Sequence, residues 1–145
     1  MMDVIFDVDG TLMDIEHRRH FVVQRPKDFD AFREATSQDT AKEDIFAVAK
    51  ALKAAGHRII ISSGRNKSQR AVTLKQLMGA GLVFDALYMR SDKDFRPDDE
   101  VKSQMLDKMI EDGFNPTMAF DDRQRVVDMW RDRGLTVAQV APGDF

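Results

Sequence analysis

A chain of 145 residues is long enough to bury the core of one ordinary domain, and we expect residues 1–145 to form a single domain. Hydrophobic residues (43%) and charged residues (32%) are balanced as in globular proteins, and no apolar run approaches the ~20 residues of a membrane span. The formal net charge of −3 argues against a large basic surface for a long nucleic acid, although it permits a site for a strand end or a mononucleotide. The chain has no cysteine, which excludes disulfides and a cysteine nucleophile, and no secretory signal pattern.

The hydrophobic pattern alternates between strands and helices. In chain order it predicts a strand (residues 4–7), a helix (45–55), a strand (57–64), a helix (66–78), a strand (86–90), a helix (98–110), a strand (117–122), a helix (126–130) and a strand (135–141). A glycine follows each predicted helix, as is common at helix C-termini. This alternation predicts an α/β fold: a Rossmann-like parallel sheet with helices on both faces.

Residues 13–43 depart from this alternation. We expect them to form a small cap or flap, inserted after the first strand, that covers the edge of the sheet. The sequence "HRRH" at residues 17–20 is typical of a solvated loop, and no histidine has a carboxylate or histidine partner at ligand spacing, so we assign none to a site.

Chemically active side chains cluster where the predicted strands end. They are Asp7 and Asp9 with Gly10 and Thr11 after the first strand, Ser63, Gly64 and Arg65 after the second, and Asp121 and Asp122 after the fourth. Lys102 lies on the helix after the third strand, one turn beyond Asp98. Because ligands of open α/β sheets bind beyond the carboxyl ends of the strands, we expect these segments to converge on one rim.

The carboxylates of this rim predict a magnesium site. Four anions within a few ångströms of one another cannot all stay ionised without compensation. Mg²⁺ takes carboxylate and carbonyl oxygens as ligands and would also attract a phosphate.

The other side chains suit a phosphate. Ser63 offers a hydroxyl, Gly64 an unhindered amide and Lys102 a positive charge. Phosphoryl transfer depends mainly on charge neutralisation and in-line positioning. A carboxylate can attack phosphorus to form an aspartyl-phosphate, while a second carboxyl serves as acid and then base.

Four motifs together resemble those of the haloacid dehalogenase-like phosphohydrolases: "DVDGTL", "SSGR", the lysine that ends "RPDDEVK", and "FDDR". The C-terminal sequence "MAFDDRQRVVDMWRDRGLTVAQVAPGDF" is similar to the end of the 3′-phosphatase domain of bacteriophage polynucleotide kinases. The resemblance implies a haloacid dehalogenase-like fold, and it suggests a phage origin and a role in nucleic-acid repair. We therefore expect a cytoplasmic protein, in the host cell if phage-encoded.

The resemblance also implies roles for individual residues. Asp7 would be the nucleophile and Asp9 the general acid–base, with Ser63 and Lys102 holding the phosphoryl oxygens. Mg²⁺ would bind Asp7, the Asp9 carbonyl and the Asp121–Asp122 pair. Arg18, Arg65 and Asp98 fall where the related domain has residues needed for activity, and Thr11 and Gly64 would complete the substrate site.

Several alternatives stay open at this point. The chain has no GxxxxGK[ST] loop, so we expect no ATP-dependent kinase activity. The substrate would be a polynucleotide 3′-phosphate end or a 3′-nucleotide, with a 5′-nucleotidase or small-metabolite phosphatase as the alternative. A receiver-like phospho-acceptor module is a distant third possibility, because a receiver carries its acceptor aspartate after the third strand, whereas that strand ends "LYMR" here.

Individual residues also have simpler interpretations. Asp98 follows Pro97 and is equally well explained as a helix cap, which could also pair with Lys102 four residues on. Arg65 could be a solvated side chain, and Trp130 is spaced for core packing.

Overall fold

The computed structural model describes residues 1–145 and consists of a central sheet, flanking helices and a small inserted hairpin. In chain order its elements are β1 (Asp3–Phe6), β2 (Met13–Asp14), α1 (Glu16–Val23), α2 (Phe29–Glu34), β3 (Thr40–Ala41), α3 (Glu43–Ala54), β4 (Arg58–Asn66), α4 (Arg70–Gly79), β5 (Ala86–Arg90), α5 (Asp98–Glu111), β6 (Pro116–Asp121), α6 (Gln124–Asp132) and β7 (Thr136–Gln139). Short 3₁₀ turns precede β3 (Ala35–Gln38) and α4 (Lys67–Gln69).

The sheet has the strand order β5–β4–β1–β6–β7, and all of its neighbouring strands run parallel. The predicted α/β fold with a Rossmann-like parallel sheet is therefore confirmed. β1 is the central strand and is buried along its whole length, which explains its continuous apolar sequence.

Alternate residues of the central strands fill two separate cores. On one face, Val4 and Phe6 of β1 belong to a cluster with Phe46 of α3 and Leu77 of α4. On the other face, Ile5 packs with residues of α5 and α6. Helices therefore cover both faces, which fixes the sheet between two layers and leaves its strand ends exposed as the rim for a ligand.

The insertion of residues 13–43 is folded rather than a loop. Its strands β2 and β3 pair antiparallel, and α1 and α2 lie between them in sequence. The prediction that "HRRH" is a solvated loop is wrong: these residues lie on α1, and Arg18 is buried.

Two expected helix caps differ from the structure. Asn66 caps the 3₁₀ turn that precedes α4, in a capping box with Gln69, rather than α4 itself. Asp98 is the first residue of α5 and its side chain makes no capping hydrogen bond. None of the helices is long and apolar enough to cross a bilayer.

Candidate active site

The site begins where β1 and its two neighbours end. Phe6 pairs with Ile61 of β4 and with Phe120 of β6, so the residues that follow these strands meet at one edge of the sheet. The backbone N–H of Asp7 donates to the Phe120 carbonyl at 3.0 Å, which fixes the first carboxylate beside the end of β6.

Asp7 is held by two side chains. The ammonium of Lys102 on α5 lies 2.8 Å from Asp7 Oδ1 and 3.1 Å from Asp121 Oδ2. Thr11 Oγ1 donates to the other oxygen of Asp7 at 3.0 Å. Thr11 therefore orients the Asp7 carboxylate, and the expected pairing of Lys102 with Asp98 gives way to hydrogen bonds with Asp7 and Asp121.

Three carboxylates form one buried cluster. Oxygen atoms of Asp7, Asp121 and Asp122 all lie within 4.8 Å of one another. Burial and the charge of Asp121 raise the pKa of Asp7 well above its ordinary value, and the same two causes raise the pKa of Asp122. Burial opposes the charged ammonium of Lys102, but the charges of Asp121 and Asp7 outweigh it and raise the pKa of this lysine.

This cluster fits a small divalent cation. One buried ammonium faces three carboxylates, so negative charge remains uncompensated, and hard oxygen donors are the ligands Mg²⁺ prefers. Gly10 makes room for the cluster: its φ is +83°, and a Cβ there would lie 2.1 Å from Asp122 Oδ2. The Asp9 carboxylate does not belong to the cluster, and a ligand role for its backbone carbonyl stays a prediction.

The Asp9 carboxylate is instead held by two arginines. Arg18 Nη2 lies 3.0 Å and Arg65 Nε 2.9 Å from Asp9 Oδ1. Both guanidiniums also donate to the fully buried carboxylate of Asp39, at 2.8 Å from Arg18 and 2.9 Å from Arg65. His17 contacts Asp39 too, with Nε2 at 2.6 Å from Oδ1, and this partner lies 22 residues away in the sequence, so spacing alone did not show it.

The burial of Arg65 and Arg18 excludes the interpretation that either is a solvated side chain. Arg65 is only 4% exposed and Arg18 only 1%, so neither is a solvated surface residue. Ser63 is fully buried, and its Oγ accepts the backbone N–H of Arg65 at 3.1 Å. Because that bond uses the Ser63 oxygen as acceptor, its hydroxyl proton stays available for another partner.

A second ion-pair group surrounds the start of α5. Asp98 accepts hydrogen bonds from Arg90 and from Arg123, the latter at 3.1 Å, and Arg90 Nε also donates to the Gly64 carbonyl at 3.0 Å. Burial favours the neutral form of Asp98, but the charges of Lys102, Arg123 and Arg90 hold its pKa below the usual range. Asp98 thus links the start of α5 to Arg90 of β5 and to Arg123, which precedes α6, and is not a helix cap.

A family model for the polynucleotide kinase PNKP phosphatase domain matches residues 2–145. The chain belongs to this family. It is therefore a phosphatase domain of the haloacid dehalogenase-like class, as its motifs predicted, rather than a receiver-like module.

Solved structures agree with this assignment. Two structures of a Pnkp1/Rnl/Hen1 complex, one described as an RNA repair complex, align at TM-scores of 0.84 and 0.85 with 31% identity over 99% of this chain. The chain spans less than half of those proteins, 47% and 43% of their length. A class C acid phosphatase from Bacillus anthracis aligns at a TM-score of 0.71 with 14% identity, over 99% of this chain and 67% of that one, which shows the shared fold.

Four contributors to this PNKP-family site were not found from the sequence. Asp39 and Arg90 lie outside every recognisable motif, and Arg123 ends the "FDDR" motif but was given no role; the fold brings all three to the rim. Trp130 packs in the core as expected, but its Nε1 also donates to Asp121 Oδ2 at 3.2 Å. A buried tryptophan needs a partner for its N–H, and that requirement was the one available signal.

The phosphatase site opens into a cavity of about 820 Å³. Six aspartates line it: Asp7, Asp9, Asp94, Asp98, Asp121 and Asp122. Ten basic side chains also line it: Arg18, Arg19, Lys27, Arg33, Arg65, Arg90, Arg96, Lys102, Arg123 and Arg125. Basic side chains thus outnumber aspartates in the lining, although the whole chain carries −3. Acidic residues outside the lining pair with some of them, as Glu16 does with Arg19, Asp30 with Arg33 and Asp99 with Arg125.

Proposed function

We propose that this domain is a magnesium-dependent phosphomonoesterase that works through an aspartyl-phosphate on Asp7 and removes 3′-phosphates from polynucleotide ends or nucleotides. The observation that carries the proposal is the position of Asp7, a buried carboxylate at the end of β1 within 2.8 Å of Lys102 and within the Asp121–Asp122 cluster. A carboxylate so placed can act as a nucleophile, because its own position and the charge around it are fixed before substrate arrives.

In the first half-reaction, Asp7 attacks phosphorus. The bond between a carboxylate oxygen and phosphorus forms as the bond from phosphorus to the leaving oxygen breaks. The Thr11 hydroxyl and the Lys102 ammonium keep the carboxylate in place for in-line attack. The buried ammonium also offsets charge on the transferring phosphoryl group.

Asp9 is proposed to move the protons. All of its guanidinium contacts are to Oδ1, so Oδ2 is the oxygen suited to carry a proton to the leaving oxygen. In the second half-reaction Asp9 takes a proton from the water that attacks phosphorus. The bond between Asp7 and phosphorus then breaks, which releases inorganic phosphate and restores the starting state.

The metal would be held by Asp7, Asp121, Asp122 and the backbone carbonyl of Asp9. Bound there, Mg²⁺ would neutralise negative charge shared by the cluster and the phosphate. Residues of the chain would hold the remaining phosphoryl oxygens: the Lys102 ammonium and the Ser63 hydroxyl, whose proton is not used by its bond to Arg65.

The basic side chains of the cavity support a polynucleotide end as substrate. Ten of them line the cavity, which suits a ligand that bears several phosphates, because each phosphate contact with a basic side chain adds attraction. The 31% identity to a protein of an RNA repair complex points in the same direction. A 3′-phosphorylated strand end fits both observations better than a small metabolite that bears a single phosphate.

The proposal is tested with one variant and a panel of substrates. Asp7→Asn is expected to abolish phosphate release while its thermal unfolding stays close to that of wild type, because the amide keeps the shape of the side chain. Asp128→Asn, which changes an exposed carboxylate outside the cavity, is the matched control and should keep full activity.

The substrate panel and the variant together test the nucleophile and the substrate class. The wild-type enzyme is assayed with Mg²⁺ on a 3′-phosphorylated oligonucleotide, on 3′-nucleotides and on 5′-nucleotides. Near-normal turnover by Asp7→Asn would refute the nucleophile. A strong preference for 5′-nucleotides would overturn the substrate and favour a 5′-nucleotidase.

A further inference from the structure

The most exposed aromatic side chain lies at the mouth of the phosphatase cavity. Phe95 is 88% exposed, follows β5 in the loop before α5, and lines the same cavity as Asp7. A single exposed apolar residue needs no explanation by itself. Two further observations distinguish Phe95 from the exposed Val83 and Met78, which lie outside the cavity.

The first observation is that the loop that carries Phe95 is fixed. Arg90 Nη1 donates to the backbone carbonyls on either side of Phe95, to Asp94 at 2.9 Å and to Arg96 at 2.7 Å. The Arg96 guanidinium donates two hydrogen bonds to the Asp94 carboxylate, at 2.9 and 2.7 Å. The Phe95 ring therefore extends into solvent from a turn whose backbone is fixed by hydrogen bonds.

The second observation is that Arg90, which fixes this loop, also contacts residues of the site. The same Arg90 side chain donates to the Gly64 carbonyl and to Asp98, both of which line the cavity. The backbone that carries the Phe95 ring is thus fixed relative to the reacting groups. A side chain on a fixed backbone can take part in recognition without the further entropy cost of ordering its loop.

The chemistry around Phe95 selects a ligand with flat apolar faces and negative charges. Arg96 follows it directly, Arg90 binds the backbone on either side of it, and both belong to a lining with ten basic side chains. Single-stranded nucleic acid offers this combination, because its bases stack on aromatic rings while its phosphates contact basic side chains. Val23, Phe29 and Phe145 are also exposed in this lining, but its ten basic side chains and six aspartates are a poor match for an apolar protein surface.

We propose that Phe95 is a stacking platform for a base near the 3′ end of the strand whose phosphate reaches Asp7. This inference rests on the proposed 3′-phosphatase function and adds a second contact point to it. The phosphate would be held by the rim residues of the sheet, and the strand would be held outside them by a base on Phe95.

The test is a double-mutant cycle between the ring and the bases. One substrate is a 3′-phosphorylated oligonucleotide, and the other is the same strand with stable abasic analogues at its last two nucleotides. Phe95→Ala is expected to lower kcat/KM about tenfold on the normal strand, relative to its effect on the abasic strand. Phe95→Trp should keep the preference for the normal strand, and Val83→Ala is the control for loss of an exposed apolar side chain.

The outcomes separate this inference from the proposed function. If wild type releases no phosphate from the normal strand, the 3′-phosphatase proposal and the stacking proposal both fall. If wild type is active and Phe95→Ala slows both strands equally, or neither, only the stacking proposal is overturned. Loss of the preference in Phe95→Trp would also contradict it, because tryptophan stacks at least as well.

Discussion

Asp39 shows how much of this site depends on a single residue outside every motif. Its carboxylate has no exposed surface and accepts hydrogen bonds from Arg18, Arg65 and His17. The two arginines in turn share Asp9 Oδ1. Without Asp39, two buried guanidiniums would lose the partner that fixes their direction, so we infer that Asp39 positions the arginines around the proposed acid–base.

We predict that Asp39→Asn lowers kcat/KM on the preferred phosphomonoester by about 100-fold, because small displacements of positioning groups have effects of that order. The amide keeps the volume of the side chain, but its single oxygen cannot accept from Arg18, Arg65 and His17 together. Asp30→Asn is the matched control in the same insertion, since Asp30 is exposed and pairs only with Arg33. Steady-state kinetics measured beside thermal unfolding would contradict the prediction if a folded Asp39→Asn variant kept wild-type activity.

At the scale of elements, the end of β4 and the start of α5 fit together only because residue 64 is a glycine. A Cβ on Gly64 would lie 2.7 Å from Asp98 Oδ1, closer than such contacts occur. Asp98 ties α5 to β5 and α6 through Arg90 and Arg123. The same helix carries Lys102, so a displaced Asp98 would shift the ammonium that holds Asp7.

We predict that Gly64→Ala lowers kcat at least tenfold by moving Asp98 and the first turn of α5. Gly79→Ala is the matched control: it lies in α4, where an added Cβ meets nothing within 4 Å, and alanine should raise the stability by up to ~1 kcal/mol. Both are checked by turnover and by urea unfolding. An active Gly64→Ala variant would mean that the contact between β4 and α5 tolerates an extra carbon.

The fold and the centre of the site could be predicted because their signals are local. Apolar runs of four to six residues marked the strands, and glycines marked the helix ends. Asp7, Asp121 and Asp122 were found because they lie at the carboxyl ends of predicted strands, and the parallel order brings such residues together.

The outer part of the site could not be predicted because its residues converge only in three dimensions. Asp39 precedes a two-residue strand of the insertion, where no periodic pattern exists to place it. Arg90 and Arg123 read as ordinary charged residues until their partners are known. The net charge of −3 argued only against a large basic surface for a long nucleic acid, and a total could not show that ten basic side chains line one cavity.

For the whole molecule, the acidic cluster should make stability depend on a divalent cation. Mg²⁺ that binds only the folded state stabilises it by about 2.7 kcal/mol when present at a hundred times its Kd. We therefore predict that Mg²⁺ raises the Tm by roughly 5–10 °C and that a chelator reverses the rise. Asp122→Asn is expected to lose most of this increase, and an equal increase in that variant would place the cation elsewhere.

The two ends of β1 contribute to stability in opposite ways. At the carboxyl end, burial and neighbouring carboxylates raise the pKa of Asp7, so the ionised site opposes folding. At the amino end, burial also disfavours ionised Asp3, but Arg58 binds it with two hydrogen bonds, at 2.6 and 2.7 Å, and the Asn115 N–H adds a third. These contacts hold the pKa of Asp3 below its usual range, so ionised Asp3 favours folding.

The contribution of Asp3 therefore has a definite pH dependence. Because its pKa is lower in the folded protein than in the unfolded chain, the contribution is fully present above the unfolded pKa of about 3.9. It is lost as the pH falls through the folded value. Asp3→Asn should lower the free energy of unfolding by about 2 kcal/mol at pH 7, an amount moderated by the partial exposure of Arg58. This difference in unfolding free energy between variant and wild type should shrink as the pH falls below ~4. Urea unfolding from pH 7 to pH 3 measures this gap, with the exposed Asp128→Asn as control; a gap that stayed constant with pH would show that Asp3 acts through packing and not through its charge.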